Sequence, residues 1–203
     1  MKYPKIPKHT KGESQDIVNM VCENSESSAF EKFRAVKERL LSVNKWHTFS
    51  EDIKAEFYLV DENDSAISNN FEIGNYIKID IPGPGNPSGD GFDWTEIIKI
   101  QDGTNEDICP YFSFTIKPCA PPNNSKNSTA HFYTDETSNT FILRCVANCV
   151  YLEVHSRNEI ENTEDVPILD KIRNKAIALG GIVGLGNLNW AAFTKGLLEP
   201  SEN

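Results

Sequence analysis

The spacing of apolar residues changes twice along the chain and divides it into three parts. Residues 1–14 are rich in Pro and Lys, show no periodicity, and are predicted to form a flexible arm. From Phe30 to Leu41 apolar side chains recur every three or four positions, which is typical of an amphipathic helix. Ser28 and Glu31 have the spacing of a capping box, so this helix is predicted to begin at Ser28.

A period of two replaces the helical spacing between residues 53 and 157. Seven segments are predicted to be strands: IKAEFYLV, NYIKIDI, DWTEIIKI, YFSFTIKP, HFYT, TFILRCV and CVYLEVHSR. The alternation is clearest at Ile77, Ile79 and Ile81, whose intervening residues are polar or amphipathic. Alternation with one apolar side is typical of an antiparallel sheet that packs on one face.

Helical spacing returns after Pro167. One apolar stripe contains Ile168, Leu169, Ile172, Ala176, Leu179 and Val183, and it predicts a long C-terminal helix. The run GGIVGLG weakens that helix, because an interior Gly costs about 1 kcal/mol relative to Ala. A shorter helix, NLNWAAFTKGLLE, follows, and its Trp190 is expected to pack against the sheet.

These elements predict an α+β fold. Six to seven antiparallel strands would pack on the long C-terminal helix, with the amphipathic helix on the N-terminal side. No linker separates strands from helices, so residues 15–203 are predicted to form a single domain. A small β-barrel capped by helices is the alternative architecture.

The element order resembles that of the START-like and polyketide-cyclase-like helix-grip superfamily. That resemblance implies a curved sheet wrapped around the C-terminal helix, with a cavity for an apolar ligand. The segments DIPGPGNPSGDGFDW and HFYTDETSNTFILR are also similar to those of a bacterial family found mostly in Bacteroidetes. The second resemblance implies no activity.

Charge and composition narrow the classes of partner. The 203 residues carry a formal net charge of −10 and are 38% apolar, which excludes a disordered or fibrous chain and disfavours nucleic acid as a partner. Residues 51–170 hold seven Lys or Arg against 22 Asp or Glu, so the acidity lies in the strand region. The start, MKYPKIPKHTKGESQD, lacks the apolar run of a secretory signal, and no stretch is apolar enough to span a membrane. We therefore expect a cytoplasmic protein.

The five cysteines suggest no metal site. Cys109 and Cys119 bracket a strand and would lie about 30 Å apart. Cys145 and Cys149 flank a turn and could form a disulfide under oxidation, although free thiols are expected in a reducing cytoplasm. Cys22 has no nearby cysteine in the sequence. No cofactor is expected either.

The last predicted strand carries the best candidates for chemistry. Its alternation puts Tyr151, Glu153, His155 and Arg157 on one face, where Glu153 could orient the His155 imidazole or raise its pKa for acid–base catalysis. Neighbouring strands add Arg144 and His131 to this set of possible ligand contacts. The same pattern also fits a strand that simply faces solvent.

The Gly- and Pro-rich loop is not a phosphate-binding loop. It connects two strands, has the spacing GxGxxxGxG, and contains prolines that remove N–H donors. Asp90, Asp93 and Trp94 could form the edge of a ligand-binding mouth, although Asp in such a loop is ordinarily a turn former.

Three functions remain open. The leading hypothesis is a module that binds a small apolar or amphipathic ligand between the sheet and the C-terminal helix. The second is an enzyme that acts on such a ligand, with His155 and Glu153 as an acid–base pair. The third is a protein-interaction domain, with a homo-oligomer as one form. Neither GxSxG nor HExxH occurs, so no known hydrolase motif supports catalysis.

Overall fold

A seven-stranded antiparallel sheet forms the framework of the computed structural model, which describes residues 3–68, 70–83, 85–123, 128–162 and 189–200. The strands are β1 (Glu13–Cys22), β2 (Glu56–Val60), β3 (Tyr76–Asp80), β4 (Asp93–Gly103), β5 (Tyr111–Pro118), β6 (Ser138–Val146) and β7 (Cys149–Glu159). The helices are α1 (Glu26–Leu41) and α2 (Trp190–Leu198), with short 3-10 turns at Val43–Thr48 and Pro87–Gly89. The predicted α+β fold is confirmed.

The strand order is β1-β7-β6-β5-β4-β3-β2, and all six neighbouring pairs are antiparallel. Within the described residues β1 and β2 are the two edges of an open sheet, so the closed β-barrel alternative is wrong. The helical stripe from Ile168 to Val183 lies outside the described residues. In α2, Trp190, Phe193 and Leu197 are buried, and the Trp190 ring lies 5.0 Å from that of Phe141 in the sheet, as predicted.

Two strand assignments differ from the sequence prediction. Strand β1 was missed, because its apolar residues point to both sides: Ile17 and Val21 pack on the core, whereas Val18 and Met20 are exposed. The segment HFYT is not a strand, and Tyr133 makes only an isolated bridge to Glu161.

Helix α1 begins earlier than predicted. Ser25 is the N-cap, and its hydroxyl accepts a hydrogen bond from the Ser28 N–H, while the Ser28 hydroxyl accepts one from the Ser25 N–H. Ser28 therefore occupies the third helical position of the capping box instead of its first member. Glu31, assigned to the box from its spacing, instead pairs with Arg34 one turn along the helix.

Trp46 lies at the centre of the core and is fully buried. Its ring contacts those of Phe57 on β2, Phe114 on β5, Phe141 on β6 and Phe193 on α2, at centroid distances from 4.9 to 6.4 Å. Its indole N–H donates to the carbonyl of Leu40 at 3.1 Å, near the end of α1. One side chain thus joins both helices to the inner face of the sheet.

A disulfide closes one end of the sheet. Cys22 and Cys149 face each other in the register of β1 and β7, with their Cα atoms 4.0 Å apart. The expectation of free thiols is therefore wrong for Cys22 and Cys149. The possible Cys145–Cys149 bond is also wrong, because Cys149 is bonded to Cys22. Across the β6–β7 hairpin Cys149 lies opposite Val146, and Cys145 points into the core as a free thiol. The sequence does not indicate a partner for Cys22, because β1 is not recognisable as a neighbour of β7.

Removing this disulfide should lower stability substantially, because it closes a loop of 127 residues and so restricts the unfolded chain. The double variant Cys22→Ser/Cys149→Ser should lose roughly 2–4 kcal/mol of unfolding free energy. Urea titration of oxidised protein measures this loss. Cys109→Ser is the matched control and should leave the midpoint nearly unchanged. Equal midpoints for wild type and double variant under oxidising conditions would show that the bond does not stabilise the fold.

Candidate functional site

The two faces of the sheet differ in chemistry. The inner face carries the apolar residues that pack against α1 and α2. On the outer face the register aligns one cross-strand row of polar side chains: Lys99, Thr115, Thr140, His155 and Asp16. Within this row the Thr115 and Thr140 hydroxyls hydrogen-bond at 3.0 Å, and both residues are buried. The centre of the outer face is therefore covered, although Val18 and Met20 on the edge strand β1 are exposed.

The N-terminal residues contact the outer face of the sheet. Pro4 is buried, and the carbonyl of Lys5 accepts a hydrogen bond from Lys99 on β4. Farther along, the Asn158 side-chain oxygen accepts hydrogen bonds from the backbone N–H groups of Thr10 and Lys11. Residues 3–11 thus contact β4 and β7 across the outer face.

Glu153 is the centre of a buried ionic cluster beneath this segment. Its carboxylate accepts hydrogen bonds from Arg144 Nε and from the hydroxyl of Tyr3, and its Oε2 lies 2.9 Å from His155 Nε2. The residue is only 2% exposed. Burial disfavours its charged form, but the three donors outweigh burial and lower the pKa of Glu153 to about 2. Glu153 is therefore a carboxylate whose oxygens are occupied by protein donors.

His155 is held between two carboxylates. Its Nδ1 lies 2.7 Å from Asp16 Oδ1, on the side opposite Glu153, and Asp16 also accepts a hydrogen bond from Arg157 at 2.7 Å. Burial lowers the pKa of His155, but the two carboxylates outweigh burial and raise it above its ordinary value. In its protonated form the imidazole can donate to both carboxylates and so link β1 to β7.

The structure brings together most of the residues proposed from the sequence. Arg144, Glu153, His155 and Arg157 belong to one connected set, and Tyr151 lies against the Arg144 guanidinium, 4.1 Å from ring centroid to carbon. Neither His155 nor Glu153 lines either of the two pockets described below. Their hydrogen bonds favour a role in holding β1 and Tyr3 against the sheet.

No local sequence pattern indicates Asp16 or Tyr3, the two remaining members of this set. Both are distant in the chain from their partners, by 139 residues for Asp16 and His155 and by 150 for Tyr3 and Glu153. Only recognition of β1 as the neighbour of β7 would have indicated Asp16.

The other four candidates lie elsewhere. His131 is buried, and its Nδ1 accepts a hydrogen bond from the Tyr133 N–H. Asp93 is fully buried and accepts a hydrogen bond from the Asn86 side chain, while Trp94 donates to the carbonyl of Gly89. These contacts hold the Gly- and Pro-rich loop in place. Asp90 is exposed in the left-handed conformation, with φ of 53°, as a turn residue.

An open pocket of about 410 Å³ lies where α1 meets the ends of two hairpins. We call it the hairpin pocket. It is lined by Glu26, Phe30, Thr104, Asn105, Glu106, Asp107, Ile108, Pro110, Cys145 and Ala147. No local pattern in the sequence indicates this pocket, because its walls come from three separate parts of the chain: the start of α1, the β4–β5 connection and the β6–β7 turn.

Between the sheet and α2, the described residues border much less space. A void of about 10 Å³ is bordered there by His131, Tyr133, Glu159 and Trp190, among others. This volume suits at most one water molecule. Burial raises the pKa of Glu159 at this void, and the neighbouring charge of Glu13 adds to the effect.

Across the described ranges, no group of three or more His, Cys, Asp or Glu side chains is arranged to hold a metal ion. In the same part of the chain, no helix has the length and apolar character needed to cross a membrane.

Comparisons with known proteins give similarity at the level of structure only. No family model matches the chain and no curated protein matches it, so the resemblance to a bacterial family has no support from these comparisons. Similar solved structures include a hypothetical protein from Helicobacter pylori (10% identity, 91% of this chain and 84% of the other, TM-score 0.45). They also include norcoclaurine synthase from Thalictrum flavum (12% identity, 98% and 96%, TM-score 0.35). A third is a major latex-like protein from Panax ginseng (10% identity, 81% and 96%, TM-score 0.34). At these scores none of them assigns a function to the chain.

The His155 contacts predict a specific dependence of stability on pH. Because the folded-state pKa of His155 is raised above 6.5, its stabilising effect is complete below that pH and is lost as pH rises through the raised value. The variant His155→Gln should therefore lose more stability, relative to wild type, at pH 5.5 than at pH 9, by about 1 kcal/mol.

Urea unfolding of both proteins at the two pH values measures this difference. His9→Gln, which changes an exposed histidine of the N-terminal segment, is the matched control and should show the same small effect at both pH values. A His155→Gln loss that does not change with pH would contradict the assignment of a charged imidazole.

Proposed function

We propose that the protein binds a small amphipathic molecule in the hairpin pocket. One observation carries the proposal: an open space of about 410 Å³ between α1 and the hairpin ends, within the size range of small-molecule sites. Its lining combines apolar side chains with carboxyl, hydroxyl and amide groups. Such a mixed lining suits a ligand that has one apolar and one polar part.

The apolar part of the lining supports this proposal. Phe30, Pro110 and Cys145 form a half-buried to buried surface, and Ile108 stands at its edge with 83% of its surface exposed. An Ile side chain left in water forgoes the roughly 1.5–3 kcal/mol that burial provides. A bound ligand that covers Ile108 would recover part of that free energy.

Packing elsewhere favours this location over the described sheet–α2 interface. Trp46, Phe141, Trp190 and Phe193 fill the inner face around α2 with ring-to-ring contacts. The void that Trp190 and other described residues border has a volume of only about 10 Å³. The remainder of the predicted C-terminal helix lies outside the described residues, so the proposal rests on the pocket beside α1.

Binding is favoured over acid–base catalysis. Both ring nitrogens of His155 lie within hydrogen-bond distance of carboxylates, and Glu153 accepts hydrogen bonds from Tyr3 and Arg144. A general base needs hydrogen-bond access to the proton that it removes. Here these atoms contact protein groups, and neither residue lines the hairpin pocket.

A neutral probe tests the proposal. Titration of 1-hexanol should produce saturable shifts of the Ile108 and Ala147 methyl signals in ¹H–¹³C NMR spectra, with a dissociation constant on the order of millimolar. The methyl signals of Ile73, which is 61% exposed and does not line the pocket, serve as the internal reference.

A blocking variant makes the test specific. Asn105→Trp places a large ring among the lining residues and should weaken hexanol binding several-fold, by about 1 kcal/mol or more. Glu62→Trp, at an exposed position between β2 and β3, is the matched control and should bind like wild type. Shifts of equal size at Ile73, or no effect of Asn105→Trp, would contradict a site in this pocket.

A further inference from the structure

We infer that the hairpin pocket selects organic ammonium ions: ligands with a positively charged nitrogen attached to an apolar body. This inference rests on the proposed function and adds the charge of the ligand to it. It follows from the distribution of charged side chains around the pocket, which differs from that of the ionic cluster on the outer face.

Three carboxyl side chains line the pocket. Glu26 contributes from the first turn of α1, and Glu106 and Asp107 contribute from the β4–β5 connection. All three are exposed. Among the described lining residues there is no Lys, Arg or His, so the lining carries acidic groups from two sides without a basic group between them.

The neighbouring basic residues are occupied by other acidic groups. Lys37 donates to Asp102 at 2.6 Å and also to the hydroxyl of Thr104, a lining residue. Lys32 pairs with Glu23 at 3.4 Å, and Arg144 lies in the cluster with Glu153 on the outer face. These pairings leave Glu26, Glu106 and Asp107 as the carboxyl groups that a ligand cation would meet.

The N-terminus of α1 does not reverse this preference. A helix N-terminus can attract an anion through its free N–H groups. In α1 the Ser28 N–H donates to the Ser25 hydroxyl, and the Ala29 N–H donates to the Ser25 carbonyl. Glu26 adds an acidic side chain in the same turn. The Glu26 carboxylate therefore places negative charge beside the remaining N–H groups at this helix end, which disfavours an anionic ligand there.

The two parts of the lining define the orientation of the ligand. The ammonium group would lie between Glu26 and the Glu106–Asp107 pair, where carboxylate oxygens can accept its N–H donors. The apolar body would lie over Phe30, Ile108 and Pro110. A carboxylate of the same length would bring its charge towards three acidic side chains.

Three probes of equal length test the inference: hexylammonium, 1-hexanol and hexanoate. Titrations followed at the Ile108 and Ala147 methyl signals should show hexylammonium binding about threefold to fivefold more tightly than hexanol, because an exposed charge pair contributes up to about 1 kcal/mol. Hexanoate should bind more weakly than hexanol. The preference for hexylammonium should decrease when the salt concentration is raised, because these carboxyl groups are exposed.

Neutralising variants identify the groups responsible. In the triple variant Glu26→Gln/Glu106→Gln/Asp107→Asn, the ratio of hexylammonium affinity to hexanol affinity should fall to about twofold or less, whatever the change in hexanol affinity itself. The matched control, Glu51→Gln/Asp52→Asn/Glu62→Gln, removes the same charge from exposed positions outside the pocket and should keep the full preference.

The outcomes separate this inference from the proposed function. Saturable hexanol binding with no preference for hexylammonium, or a preference that the triple variant retains, would overturn the inference and leave the binding site intact. Absence of saturable binding for all three probes would overturn both.

Discussion

The position of α1 against the sheet depends on Trp46. Its ring packs against aromatic rings from β2, β5, β6 and α2, and its N–H is fixed to the carbonyl of Leu40 near the end of α1. This arrangement has two consequences for the candidate site. The rings fill the inner face around α2, and the fixed helix holds its first turns, with Glu26 and Phe30, beside the hairpin ends. The same packing therefore fills the described space beside α2 and positions the wall of the hairpin pocket that α1 provides.

The sequence predicted those elements whose side-chain pattern reflects a single environment. Six of the seven predicted strands exist, and most of their apolar residues lie on the inner face, where they pack in the core. Strand β1 escaped prediction because Val18 and Met20 on its outer face are as apolar as Ile17 and Val21 on its inner face. The disulfide was not predicted for the same reason, since pairing Cys22 with Cys149 requires β1 to lie beside β7. The pattern of neighbouring residues does not indicate a disulfide partner that lies 127 residues away in the chain.

The candidate site shows the same limit at the level of side chains. Strand periodicity correctly placed Tyr151, Glu153 and His155 on one face, but it offered only solvent or a ligand cavity as their surroundings. The structure provides a third environment, since Tyr3 and Asp16 complete the hydrogen bonds of Glu153 and His155. The hairpin pocket has no local signature at all, because its lining converges from three distant segments only after the sheet has formed.

The acidic residues of this chain have two different roles, and burial separates them. Glu153 is almost completely buried, so its charge is tolerated only with Arg144 and His155 beside it. Glu26, Glu106 and Asp107 are exposed and pay no comparable desolvation cost, so the fold does not require a basic partner for them. Carboxyl groups that the fold does not need to neutralise remain available to a ligand. The net charge of −10 therefore describes no uniform acidic surface, because acidic residues such as Glu153 and Asp93 are buried parts of the framework while Glu26, Glu106 and Asp107 line a pocket.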